Sequence, residues 1–153
     1  MAFADIPPRP LAMQEGLRSY IVYDRLPDGC IAFPIKDDSC EPHLHEGEWV
    51  AVDTEDRDPM TGEPFLIRWE SSGRRAIMEL SLRDGHAGAV WWVHSHNRPR
   101  SQKERQAWIR MGRTGGWSDG PYAADGERAA CFQRKIIGKV VGIMNIGFRP
   151  ERG

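Results

Sequence analysis

The sequence predicts an all-β fold, a twisted and mostly antiparallel sheet. Strand-length runs rich in β-branched and aromatic residues recur along the chain. The 16 glycines and 11 prolines punctuate those runs, so turns are frequent. Long patterns of helical period are missing, apart from one polar segment.

Taken in order, residues 1–15 read as a Pro-containing arm, with a short helical piece near Leu11–Leu17. A single domain is expected over 16–149, followed by a tail at 150–153. Strands are expected at Ser19–Tyr23, Cys30–Ile35, Glu48–Val52, Pro64–Trp69, Ala76–Leu82, Ala89–Val93 and Ile136–Ile143. Turn chemistry marks the gaps: Leu26-Pro-Asp-Gly, Asp58-Pro-Met-Thr-Gly, Ser71-Ser-Gly and Arg83-Asp-Gly. Residues 97–134 break the rhythm, being polar and Gly-rich with one helix expected at Gln102–Met111. They read as an insertion on a compact β core.

That segment carries Arg98, Arg100, Lys103, Arg105, Arg110 and Arg113 against the acid Glu104, with Trp108 within the run and Trp117 beyond it. Such a run suits a nucleic acid or an acidic protein partner, with Trp108 as a stacking group. The plainer alternative is a solvated surface loop.

With 153 residues and 40% hydrophobic content, the chain is long enough to bury one core. A net charge of -1 excludes a global electrostatic pull toward nucleic acid or anionic membrane. Cys30, Cys40 and Cys131 are odd in number and scattered, which points to a reducing compartment rather than a disulfide framework. The first 16 residues lack a cationic start followed by an apolar run, so no signal peptide is expected. No stretch approaches the roughly 18 apolar residues of a membrane span. The expectation is a soluble, cytoplasmic protein without membrane contact.

The densest stretch is Asp37-Asp-Ser-Cys-Glu-Pro-His-Leu-His-Glu-Gly-Glu-Trp-Val-Ala-Val-Asp53. It resembles the signature of the LexA and phage-repressor family of self-cleaving serine peptidases, in which a Gly-Asp-Ser-Met-x-Pro turn leads to Gly-Asp and an apolar strand ending in Asp. Asp38, Ser39, Pro42, Leu44, Gly47 and Asp53 fall in register with it. Asp37 stands for the usual Gly, Cys40 for Met and Glu48 for Asp. Further along, Thr61-Gly-Glu-Pro-Phe-Leu-Ile-Arg68, Ser95-His-Asn-Arg-Pro99 and Ile136-Ile-Gly-Lys-Val-Val-Gly-Ile143 are similar to later blocks of the family, in the same order. The resemblance implies a LexA/signal-peptidase-like β fold. It also implies a homodimer, for which the apolar Ile136–Ile146 segment and Phe148 offer surface.

The family's chemistry pairs a serine hydroxyl with a lysine whose burial keeps it neutral and basic. Ser39 takes the nucleophile position. On Arg74-Arg-Ala-Ile-Met-Glu-Leu80 the lysine position falls on Met78, or in a shifted register on Arg75. Methionine has no useful acceptor and arginine stays charged. Lys36, Lys103, Lys135 and Lys139 lie elsewhere, and strand alternation would point Lys36 away from Ser39. No helix-turn-helix domain fits before Ile31, and no Ala-Gly cleavage pair is present in the arm. The resemblance therefore implies a non-catalytic regulatory or interaction module. The alternatives are a serine peptidase with another base for Ser39, or a zinc hydrolase.

The zinc reading draws on the pairs His43/His45 and His94/His96, since i and i+2 share a strand face. Val93-His-Ser-His96 is also similar to the His-Ser-His-Pro core of JAMM-type metalloproteases. That family needs a downstream Ser-x-x-Asp, and here Asn97 replaces the Pro while Ser101 is followed by Gln-Lys-Glu. The ligand set does not close. No metal and no cofactor are expected.

Overall fold

The computed structural model describes residues 20–113 and 116–150. The expected arm, its helical piece and all but the first residue of the tail lie outside them. Eight strands form one curled sheet: β1 (Ile21–Tyr23), β2 (Cys30–Pro34), β3 (Trp49–Asp53), β4 (Pro64–Arg68), β5 (Arg75–Gly85), β6 (Gly88–His94), β7 (Ser118–Ala123) and β8 (Ile136–Met144). The order is β2-β3-β8-β4-β5-β6-β7, with β1 beside β8. Every pairing is antiparallel except β1 with β8. The all-β expectation holds, and the seven expected strands are among the eight.

β8 is the strand with three partners. Lys139 faces both Asp53 of β3 and Phe65 of β4, and Gly142 faces both Ala51 of β3 and Ile21 of β1. So β3 takes one edge, while β4 and then β1 share the other. Glycine is needed where neighbours come this close. A Cβ on Gly138 would sit 2.2 Å from the Asp53 carbonyl oxygen, and one on Gly142 2.4 Å from the Tyr23 ring. Of the expected pairing surface on Ile136–Ile146, β8 is engaged within the chain while Ile146 stays exposed, and Phe148 meets Trp49 edge-on at 5.8 Å.

Alternation along the central strands feeds two apolar clusters, one on each face. Leu66, Ile77 and Val140 join Phe33, Cys40, Leu44 and Val50 in the first. Phe65, Ile67, Met78, Leu80 and Ile136 join Trp91, Val93 and Phe132 in the second. This is why the Pro64–Ile67 run is buried without interruption.

The polar segment proves more integrated than its composition suggests. α1 (Gln102–Arg110) matches the expected helix, capped by Ser101, whose hydroxyl accepts the Glu104 N–H at 3.1 Å. It buries no residue. Beyond it, β7 adds an edge strand to β6, and α2 (Ala129–Gln133) delivers Phe132 to the second cluster. Neither β7 nor α2 was expected. The Arg83-Asp-Gly turn also shifts: β5 runs on to Gly85, which pairs with Gly88, so the hairpin turns at His86-Ala87.

Candidate functional site

After β2 the chain enters a compact turn. The Ser39 N–H donates to Asp37 Oδ1 at 3.0 Å, and the Leu44 N–H to the Cys40 carbonyl at 3.1 Å. Cys40 and Leu44 anchor the turn in the first cluster, and Gly47, with φ +95°, lets it fold back toward Ile35. Asn97, just beyond β6, fastens it. Its N–H donates to the Ser39 carbonyl at 2.8 Å and its Nδ2 to the Asp38 carbonyl at 2.9 Å. Two of the four sequence blocks therefore meet at Ser39.

Ser39 and Met78 line one cleft of about 180 Å³, together with Lys36, Cys40, Arg75 and Trp117 among others. Among the described residues, the Ser39 hydroxyl meets one side-chain partner, Cys40 Sγ at 3.9 Å. The Cys40 thiol donates in turn to the Ile77 carbonyl at 3.7 Å. Burial above all pushes that thiol up to about 11, so it stays protonated and is no nucleophile. Met78 is 2% exposed and packs in the second cluster. Arg75 instead lays its guanidinium over the Phe33 ring at 5.5 Å. Lys36 differs from expectation: β2 ends at Pro34, strand alternation does not reach it, and it joins the cleft wall. It is exposed and makes no hydrogen bond to Ser39.

A second constellation surrounds Glu79 on β5, a residue the sequence reading did not single out. Its carboxylate accepts from Arg98 Nη2 at 3.0 Å, Arg100 Nη2 at 3.1 Å and His96 Nδ1 at 2.8 Å. Burial alone would raise this carboxyl, but the bonds from His96, Arg98 and Arg100 outweigh it and hold the group well below the usual range. Glu79 is thus a buried anion that fixes two arginines in place.

Its cross-strand neighbour His94 is 4% exposed and bridges two hydroxyls, Ser81 Oγ and Ser118 Oγ, each at 2.7 Å. Burial first, then the charges of Arg98 and Arg83, push the imidazole down to about 4. A Ser–His nucleophile needs the opposite, an imidazolium stabilised by a carboxylate. The Ser118–His94 pair is therefore a polar fixture rather than a catalytic dyad.

The basic run divides. Arg98, Arg100 and Arg105 line a pocket of about 610 Å³ with Arg83 of β5, which sequence reading also missed. Arg113 lies over the Trp108 ring at 3.9 Å and reaches Asp38 at 3.7 Å, covering the ring face expected to stack. Lys103 and Arg110 stay exposed and outside that pocket. The histidine pairs divide as well. His43 meets the His96 ring at 4.2 Å, His45 bonds Glu41 at 2.7 Å, and His94 turns to its serines. Among the described residues, no three His, Cys, Asp or Glu side chains are grouped to hold a metal ion.

No protein-family model matches the chain, and no solved structure matches it significantly.

Proposed function

We propose that the chain is a LexA-like peptidase-fold module without the catalytic lysine, acting as a non-catalytic, phage-repressor-like regulatory or interaction protein. One observation carries the reading: Ser39 and Met78 line the same cleft, and there the serine hydroxyl has a thiol rather than an amine as its hydrogen-bond partner. Methionine cannot take the serine proton. The meeting of the Asp38-Ser39 and Ser95–Pro99 blocks at Asn97 supports it further.

The test is to restore the lysine. Met78→Lys sets an amine on β5 beside the cleft, where burial favours its neutral, basic form; to meet Ser39 the new side chain must leave the second cluster for the cleft. Labelling of Ser39 by a fluorophosphonate probe should rise at least about tenfold over wild type and vanish in Ser39→Ala. Arg75→Lys serves as the control for the shifted register. Equal labelling of wild type would defeat the reading.

Lys36 in the cleft wall supports a second reading, a serine peptidase using that amine as base. In that case wild type labels strongly and Lys36→Gln does not.

A cytoplasmic location and a homodimer belong to the first reading. With β8 enclosed, self-association falls to Ile21 (53% exposed), Val22 and Ile146 (97% exposed), on segments joined by the Asn145 N–H to the Tyr23 carbonyl. Sedimentation at tens of micromolar should show a dimer that Ile146→Glu weakens. A wild-type chain that stays monomeric there would remove this part of the proposal.

A further inference from the structure

Four arginines drawn from separate places converge on one open pocket. Arg83 comes from β5, Arg98 and Arg100 from the segment before α1, and Arg105 from α1 itself. His94 and Ser118 complete the lining used here. We propose that this pocket binds the phosphate group of a small phosphorylated molecule. The proposal stands apart from the reading of Ser39.

The charge balance favours an anion. Four guanidiniums answer to one carboxylate, Glu79, which is already bonded to Arg98, Arg100 and His96. Among the described residues, Arg83 and Arg105 form no ion pair, and Glu104 on α1 turns instead to the Arg100 backbone N–H. A guanidinium carries more donors than the bonds to Glu79 consume, and its planar fork matches phosphate oxygens two at a time. The bonds to Glu79, to the Ser95 carbonyl and to the His96 carbonyl hold Arg98 and Arg100 before any ligand arrives, so little ordering remains to be done on binding. The Ser118 hydroxyl, bonded to His94 Nδ1, lies in the same lining and donates to a ligand when Nδ1 carries the ring proton.

Shape separates a small ligand from a nucleic-acid strand. Strand binding uses a basic track with open aromatic faces beside it. Here the arginines gather in a concavity, Lys103 and Arg110 do not extend it, and Arg113 covers Trp108 on the other side. At about 610 Å³ the pocket exceeds one phosphate and leaves room for the group that carries it.

The test is calorimetric titration of the full chain at fixed ionic strength with inorganic pyrophosphate, inorganic phosphate and a short single-stranded oligodeoxynucleotide. Pyrophosphate should bind saturably, with phosphate weaker. Arg83→Gln and Arg105→Gln, which break no ion pair, should each weaken pyrophosphate about tenfold or more, while Lys103→Gln and Arg110→Gln stay within about twofold. Ser118→Ala should weaken it as well. The His94 ring resonances should move on saturation with pyrophosphate. Equal losses in all four charge variants would reduce the effect to diffuse attraction and overturn the proposal. So would the absence of saturation at millimolar pyrophosphate. Tighter binding of the oligonucleotide, lost in the Arg83 and Arg105 variants, would reassign the pocket to nucleic acid.

Discussion

Replacing Glu79 with alanine is expected to cost about 3–5 kcal/mol of folding stability, which urea unfolding would measure. The loss arises from the partners left behind. Arg98 has 17% of its side chain exposed and His96 16%, so both are desolvated groups whose compensation is this carboxylate. Removing both arginines together with Glu79 should cost far less. A Glu79→Leu, Arg98→Met, Arg100→Leu variant is expected to recover most of the loss, because an apolar substitute has no buried charge to satisfy. If the single and triple variants were equally unstable, orphaned cations would not be the cause. Acid should expose the same carboxylate. Its folded value lies below the unfolded 4.5, so its contribution is present above that pH and declines as the pH falls beneath it.

His94 should make the protein lose stability earlier in the acid range. Unfolded, the imidazole takes its proton near 6.5; folded, only near 4. The unfolded state therefore binds more protons between those values, and stability falls as the pH drops through that window. Above 6.5 both states are neutral, and below 4 both are charged. The full drop is about 3 kcal/mol. Burial is the main cause; Arg98, Arg83 and Arg100 add to it by disfavouring the cation, with Glu79 opposing them. Unfolding curves from pH 7 to 4 would measure it, and His94→Gln should flatten the slope. An unchanged slope in the variant would assign the acid sensitivity to other groups.

What the sequence disclosed follows from which forces are local. Seven strands were visible because runs such as Trp49-Val-Ala-Val and Pro64-Phe-Leu-Ile satisfy strand preference and burial together. β7 was hidden because Ser118-Asp-Gly-Pro-Tyr-Ala has little strand preference. Its Pro121 is tolerable only because β7 lies at the sheet edge, beyond β6. The juxtaposition of Ser39 with Asn97 could be anticipated, since both sit in motif blocks. The Glu79 cluster could not. A lone acid in the apolar run Ala76–Leu82 hints at a special environment, but register alone brings Arg98, Arg100 and His96 to it. The basic run was legible as charge and illegible as geometry: Arg83 had to come from another strand, and Arg113 had to leave.

The interior place of β8 also governs how the chain can fold in time. It is the last strand in the sequence, yet β1, β3 and β4 all hydrogen-bond to it, with Ile21 reaching Gly142. Until residues 136–144 have been synthesised, β3 and β4 have no common neighbour and both apolar clusters lack a wall. During translation the nascent chain therefore displays Phe65, Leu66 and Ile67 on an unpaired edge, the surface that chaperones capture and that aggregation exploits. Long-range closure of this kind slows folding, because loop entropy is lost before the contacts that compensate for it exist. β2 with β3, and β4 through β7, can pair beforehand, but they join into a single sheet only when β8 arrives.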